Sequence, residues 1–253
     1  MSKTIMITGA SSGFGKALAY RFAENGNRLI LTGRREEFLI ALKEELQVSY
    51  NTDIHVSVFD VRDKEAVFQS INNLPPQFRK IDILINNAGL ALGRDLFQDA
   101  ELDDWETMMD TNVMGLLYVT KAVLPLLRTS THPHIINIGS IAGKEVYERG
   151  NAYCASKAAV DSLSQAMRID LLAHGIKVTA IHPGAAETEF SKVRFKGDEA
   201  KASAIYQGYS PLSANDVAEV VYYTTTLPAH VCINDLSLTC VAQANSFYTY
   251  KKT

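Results

Sequence analysis

Several things are missing from this chain, and each absence removes a class of function. No run of five or more basic residues occurs and the formal net charge is −3. A nucleic-acid partner, held by phosphate contacts, therefore has little electrostatic support. No stretch reaches the ~18 uninterrupted apolar residues that suggest a membrane span. The apolar run near the N-terminus stops at Gly9. That is too short for a secretory h-region and reads as a buried strand. The three cysteines, Cys154, Cys232 and Cys240, contain no C-x-x-C. They imply neither a disulfide framework nor a zinc site, so no metal is expected and a cytoplasmic location is the default. Internal repeats and Pro/Ser-rich linkers are also missing, which leaves residues 1–253 as one expected domain.

What is present is a rhythm. Thr4–Thr8 reads as a strand, then glycines, then a helical pattern that should stop at Asn25-Gly26. Arg28–Thr32, Ile54–Phe59, Ile81–Ile85, His134–Ile138, Ile176–Ile181 and Val231–Leu238 read as further strands with helical patterns between them. Asp63 is placed to cap one helix, Asp103 with Glu106 resembles a capping box, and so does Ser213 with Asp216. Pro125 is expected to bend or restart its helix. Such alternation predicts an α/β fold, a Rossmann-like doubly wound parallel sheet with helices on both faces.

Residues 8–15, T-G-A-S-S-G-F-G, lie between the first strand and first helix. Gly9, Gly13 and Gly15 allow a tight turn and close approach of a ligand, and the helix N-terminus offers N–H groups to a pyrophosphate. The spacing departs from the common G-x-G-x-x-G dinucleotide fingerprint. The second strand ends in Gly33-Arg34-Arg35, where an acid would hold a ribose 2′-hydroxyl. Two guanidinium groups suit a 2′-phosphate instead, so NADP(H) is favoured over NAD(H). Solvated charge at a helix start is the plainer reading of the same pair. Asn86-Asn87, at the end of the fourth strand, is expected to tie neighbouring strands through its amides. Asn112 interrupts an apolar helical face, either to cap a kink or to serve the site.

Tyr153 and Lys157 stand four residues apart in Y-C-A-S-K. On a helix both point into one space. A neighbouring ammonium favours the phenolate, lowering the tyrosine pKa toward useful acid–base chemistry. The alternative is a helix surface that carries both by chance. Residues 185–212 break the strand–helix rhythm and read either as a substrate lid or as a solvated loop.

Taken together, T-G-A-S-S-G-F-G, Asp60-Val61, N-N-A-G (86–89), Asn112, Ser140, Y-x-x-x-K (153–157) and P-G-x-x-x-T (183–188) resemble the short-chain dehydrogenase/reductase family. Several longer segments are similar to its NADP-dependent 3-hydroxy acid dehydrogenases, of serine and L-allo-threonine type. The resemblance implies Tyr153 as general acid/base, Lys157 as the group that lowers its pKa and holds the nicotinamide ribose, Ser140 as a hydrogen-bond partner of the substrate oxygen, and Asn112 in a water-linked proton relay. It implies Gly9, Ser11, Ser12, Gly13, Phe14 and Gly15 along the pyrophosphate and adenosine side, and Arg34 and Arg35 on the 2′-phosphate. Asp60 and Val61 would border the adenine, and Asn87 the ribose. Pro183, Gly184 and Thr188 would frame the nicotinamide. A homotetramer is also implied. Glu148 and Arg149 depart from the family pattern and are expected to alter the approach to the pocket, and the segment S-L-T-C-V-A-Q-A-N departs as well.

The expected activity is NADP(H)-dependent hydride transfer on a small 3-hydroxy acid, with a broad reductase of ketones, aldehydes or sulfo-aldehydes as the alternative. A non-catalytic NADP(H) sensor is disfavoured by the presence of Ser140, Tyr153, Lys157 and Asn112 together. A carboxylate substrate needs a cation, for which Arg194, Lys192 and Lys196 are candidates, with Arg149 behind them.

Overall fold

Seven short apolar runs become seven parallel strands. The computed structural model describes residues 2–252, so the outermost residues of the expected domain, Met1 and Thr253, lie outside it. The chain forms β1 (Thr4–Ile7), α1 (Gly13–Glu24), β2 (Arg28–Gly33), α2 (Glu36–Tyr50), β3 (Ile54–Val58) and α3 (Lys64–Asn72). It then crosses to β4 (Ile83–Asn86), α4 (Leu102–Met109), α5 (Gly115–Leu127), β5 (His134–Ile138), α6 (Asn151–Asp170) and β6 (Lys177–Pro183). Two short helices, α7 (Glu189–Arg194) and α8 (Glu199–Ala204), precede α9 (Ala214–Thr226) and β7 (Asp235–Leu238). The sheet order is β3-β2-β1-β4-β5-β6-β7, so the winding reverses between β1 and β4. A crevice outside the strand ends at such a switch point is where α/β sheets bind ligands.

The strands are apolar on both faces because helices cover both. Ile5 and Ile7 pack with α1, α2 and α9, whereas Met6 between them packs with α3 and α5. Buried amides stitch the centre of the sheet. Asn86 Nδ2 donates to Asn137 Oδ1 and to Thr120 Oγ1, both at 2.9 Å, and Asn137 Nδ2 donates to Ser164 Oγ at 2.9 Å. The expected strand-tying role of the Asn pair is therefore present.

Asp63 caps α3 by accepting from Ala66 N, and Ser213 with Asp216 forms a reciprocal capping box on α9. The expected box at Asp103 and Glu106 does not form. Helix α4 begins two residues earlier, at Leu102 after Glu101, and Asp103 sits inside its first turn. There its charge favours the helix dipole without capping it. Pro125 does not restart a helix, since it lies in the last turn of α5, two residues before the helix ends at Leu127. The discontinuity falls earlier, in a π-turn over Asp110–Met114 that contains Asn112. The last strand starts at Asp235, later than expected, because Val231 N turns back to Pro228 O.

Candidate active site

The carboxyl ends of β1, β2, β4 and β5 open on a cleft of about 1330 Å³, counted out to solvent. Its floor is the turn after β1. Gly9 and Gly13 have φ of +65° and +51°, the left-handed region that favours glycine. Gly15 is required for a different reason, because a Cβ there would fall 2.2 Å from Gly9 O. Gly15 therefore packs the turn and does not face the cleft. Asn87 Nδ2 donates to Thr8 O at 2.8 Å and Gly9 O at 3.2 Å, so this side chain supports the turn even as it lines the cleft. Ser12 precedes α1 without a side-chain cap, leaving the first helical N–H groups available to an anion.

Arg34 and Arg35 both reach the cleft rim. Arg35 Nη2 donates to Ser11 Oγ at 3.0 Å and lies 3.5 Å from Glu189 Oε2. Arg34 is held loosely, with Nη1 3.8 Å from Asp60 Oδ2. Asp60 and Val61 also line the rim. Asp60 is gripped by Arg62, at 2.7 Å, a partner the sequence reading missed. The Arg62 hydrogen bonds and charge hold the Asp60 carboxyl below its ordinary value, against its burial. Gly9, Ser11, Gly13, Phe14 and Thr188 complete a cradle with free helix N–H groups and two guanidinium groups at its edge. That donor set fits a dinucleotide bearing an extra phosphate.

Tyr153 and Lys157 on α6 do enter the cleft together. Their electrostatics differ from expectation. Tyr153 is pushed above its ordinary value, first by burial and then by Tyr147, while a Ser140 hydrogen bond and Arg194 pull it back. Lys157 is pushed down to about 8 by burial. Its Nζ donates to Ile138 O at 2.9 Å. The expected lowering of Tyr153 by Lys157 is thus not present: burial dominates, and Lys157 is not among the groups that act on the phenol.

Asn112 takes the structural one of its two expected places. It sits in the π-turn, and its Oδ1 accepts from Leu90 N at 2.8 Å. Its Nδ2 donates to Leu90 O at 2.8 Å and Ser156 Oγ at 3.0 Å. The side chain holds the 89–92 backbone against α6. A Cβ on Gly89 would lie 3.1 Å from Asn112 Oδ1 and 3.4 Å from Lys157 Nζ, so the three residues converge. Ser140 is buried, and its Oγ accepts from Ala142 N at 3.1 Å. Pro183 and Gly184 end β6 without lining the cleft, among the described residues, and Gly184 N bonds Leu238 O at 2.8 Å.

Residues 185–212 carry α7 over the cleft, where Thr188, Glu189, Phe190 and Val193 form a wall. The Phe190 ring centroid is 5.6 Å from that of Tyr153. Gln243, from the atypical C-terminal segment, anchors the segment's root by accepting from Ala185 N at 2.7 Å. Of the four candidate cations, Arg194 is the one beside Tyr153, 5.4 Å from its ring centroid, although it does not line the cleft itself. Its Nη1 donates to Tyr147 OH at 3.0 Å, and its Nε to Gly93 O at 3.3 Å. Lys192 pairs with Glu199 and Lys196 with Asp104, each at 2.8 Å. Glu148 and Arg149 are exposed, and Arg149 takes a turn conformation with φ of +62°. Their neighbour Tyr147 points inward instead. A tyrosine beside two charged residues before the Y-x-x-x-K pair was the available signal.

A family model described as short chain dehydrogenase matches residues 3–199. Sulfoacetaldehyde reductase 2 of Chromohalobacter salexigens is 50% identical over 249 residues, covering 98% of each chain. The NADP-dependent 3-hydroxy acid dehydrogenase YdfG of Escherichia coli (strain K12) is 46% identical over 241 residues, 95% of this chain and 96% of that one. Among solved structures, the closed form of a serine dehydrogenase complexed with NADP+ superposes with a TM-score of 0.91 at 44% identity, covering 99% of this chain and 100% of that one.

Proposed function

The chain belongs to the short-chain dehydrogenase family, and we propose that within it the protein interconverts a small anionic 3-hydroxy acid, of serine or allo-threonine type, and its keto form. It is an oxidoreductase of CH–OH groups that uses NADP(H). When bound, the nicotinamide supplies or accepts the hydride. The proton is handled by the protein. In the reducing direction Tyr153 OH gives its proton to the carbonyl oxygen, and in the oxidising direction it takes the hydroxyl proton. Ser140 Oγ donates to that same oxygen as its charge changes. Lys157 places a cation beside the phenol, and Asn112 keeps the adjoining main chain in register. Ser11, Ser12, Arg34 and Arg35 hold the phosphates.

One observation carries the substrate reading. The Arg194 guanidinium stands 5.4 Å from the Tyr153 ring centroid. A cation there selects an anionic substrate whose hydroxyl reaches Tyr153. Phe190 and Tyr147 limit the room around it. A second reading, reduction of a sulfonated aldehyde, is favoured by the sulfoacetaldehyde reductase at 50% identity, since a guanidinium pairs with sulfonate as with carboxylate.

The test is a panel of L-serine, L-allo-threonine, sulfoacetaldehyde and uncharged ketones, with kcat/KM read from nicotinamide absorbance. Preference for the hydroxy acids supports the first reading, and preference for sulfoacetaldehyde the second. Equal turnover of uncharged ketones would sink the anion reading. No turnover on any compound despite tight NADPH binding would favour a sensor.

A further inference from the structure

A polar cluster built around one buried histidine adjoins Ser140 and plays no part in the reaction described above. His182, in β6, is fully buried. Its Nδ1 lies 3.2 Å from the main-chain oxygen of Ser140. On the other side, Nε2 lies 3.1 Å from Asp235 Oδ2 on β7 and 3.6 Å from Asp161 Oδ1 on α6. Lys144 closes the ring, with Nζ 3.1 Å from Asp161 Oδ2 and 2.6 Å from Asp235 Oδ2. The three acid and imidazole groups have the ligand types of a metal site. The Lys144 ammonium already pairs with both carboxylates, however, so their oxygens are engaged in an ion-pair network.

Carbonyl and carboxylate oxygens can only accept, so bonding on both sides of the ring takes a proton on each nitrogen, Nδ1–H toward Ser140 O and Nε2–H toward Asp235. The backbone is shaped to the ring. At Gly139 a Cβ would fall 2.5 Å from His182 Nδ1. Gly139 N bonds Ile181 O at 2.7 Å, and Gly143 N also donates to Ser140 O at 2.9 Å. The imidazole therefore helps fix the peptide that follows Ser140, and through it the direction of Ser140 Oγ. Burial, then Lys144, disfavour the charged ring, while Asp235 and Asp161 favour it.

We propose that His182 is a positioning residue. Its Nδ1–H, steadied by Asp235, Asp161 and Lys144, orients the Ser140 main chain so that Oγ meets the substrate oxygen. The inference rests on the reading of Ser140 as the group that bonds that oxygen. Positioning of this kind governs turnover more than cofactor affinity, because misplacement of a reacting group costs rate even when binding survives.

Two substitutions separate the ends of the ring. An asparagine amide nitrogen sits near the place of Nδ1, and a glutamine amide reaches the place of Nε2. His182→Asn keeps the bond to Ser140, whereas His182→Gln keeps only the bond to Asp235. Turnover of L-serine with NADP+ and of sulfoacetaldehyde with NADPH is measured alongside NADPH binding by fluorescence. The expected result is a fall in kcat of about tenfold to a hundredfold in His182→Gln, unchanged NADPH affinity, and recovery of most of the loss in His182→Asn. Equal kcat in the two variants overturns the proposal. Should either fail to fold, Asp235→Asn on the edge strand β7 loosens the same ring, and an unchanged kcat there overturns it equally. Ser140→Ala serves as the control. If it retains full turnover, the reading of Ser140 itself is what fails. If it loses turnover while His182→Gln does not, only the positioning role is lost.

Discussion

The guanidinium of Arg194 lies 5.4 Å from the ring centroid of Tyr153 and 5.7 Å from that of Tyr147. Gly93 exchanges two bonds with the same residue, N to Arg194 O at 3.0 Å and O from Arg194 Nε at 3.3 Å. A single arginine thus latches α7 to the loop after β4 and brings positive charge beside Tyr153.

Arg194→Ala is expected to lower kcat/KM for hydroxy acids by about tenfold to a hundredfold, the value of a charge-assisted hydrogen bond. Uncharged ketones should lose far less. Kinetics on both classes check this, and an equal loss on both would show that Arg194 acts through lid closure alone.

Cofactor choice is expected to lie in Arg34 and Arg35. Neither is locked in a buried pair, since their side chains remain 60% and 40% exposed in their ion pairs with Asp60 and Glu189. Both are therefore available to a 2′-phosphate. The double variant Arg34→Ala/Arg35→Ala should weaken NADPH by at least about tenfold while leaving NADH nearly untouched. Fluorescence titration with each nucleotide decides it. A parallel loss for both nucleotides would place the arginines on the turn, through Ser11, instead of on the phosphate.

Much of this was legible in the sequence because local chemistry dictated it. The runs around Ile5, Ile30 and Ile135 could only be buried strands. Asp63 and Ser213 had the right acceptor at the right distance from a helix start. Gly9 and Gly13 announced a turn that the backbone angles require. Other features depend on contacts between distant segments. Arg194 meets Gly93 across 101 positions. The Asp103 box was lost to an earlier helix start, and Asn112 revealed itself only once Leu90 was opposite it. The balance between burial and pairing at Tyr153 and Lys157 was illegible for a similar reason, since a sequence displays the partners of a charge but not its desolvation.

That balance has a kinetic consequence. Burial brings Lys157 down to about 8 and moves Tyr153 up, so the lysine loses its proton first as pH rises. Above that point the site holds a neutral amine beside a neutral phenol. The charge that favours phenolate is gone, and so is one proton from the pair. The kcat/KM for carbonyl reduction is expected to fall above about pH 8, roughly tenfold per unit. A profile flat to about pH 10, where an ordinary lysine titrates, would show that Lys157 keeps its charge when the site is filled.

His134 should dominate the acid limb of stability. It is buried in β5, and its Nε2 lies 2.7 Å from Thr179 Oγ1. Thr179 donates its own proton to Ile233 O at 2.7 Å, so His134 donates through Nε2–H. Burial, then Lys177 and Lys3, press its pKa from 6.5 down to about 3. The unfolded chain therefore binds a proton that the folded one refuses between those two values. Stability from this group is fully present above pH 6.5 and drains as pH falls toward 3, at about 1.4 kcal/mol per unit of difference. His134→Gln keeps a donor for Thr179 without a titrating ring. Denaturant midpoints from neutral to mildly acid pH should fall less steeply in the variant than in the wild type. Parallel slopes would mean that His134 titrates normally, and that the acid sensitivity arises elsewhere.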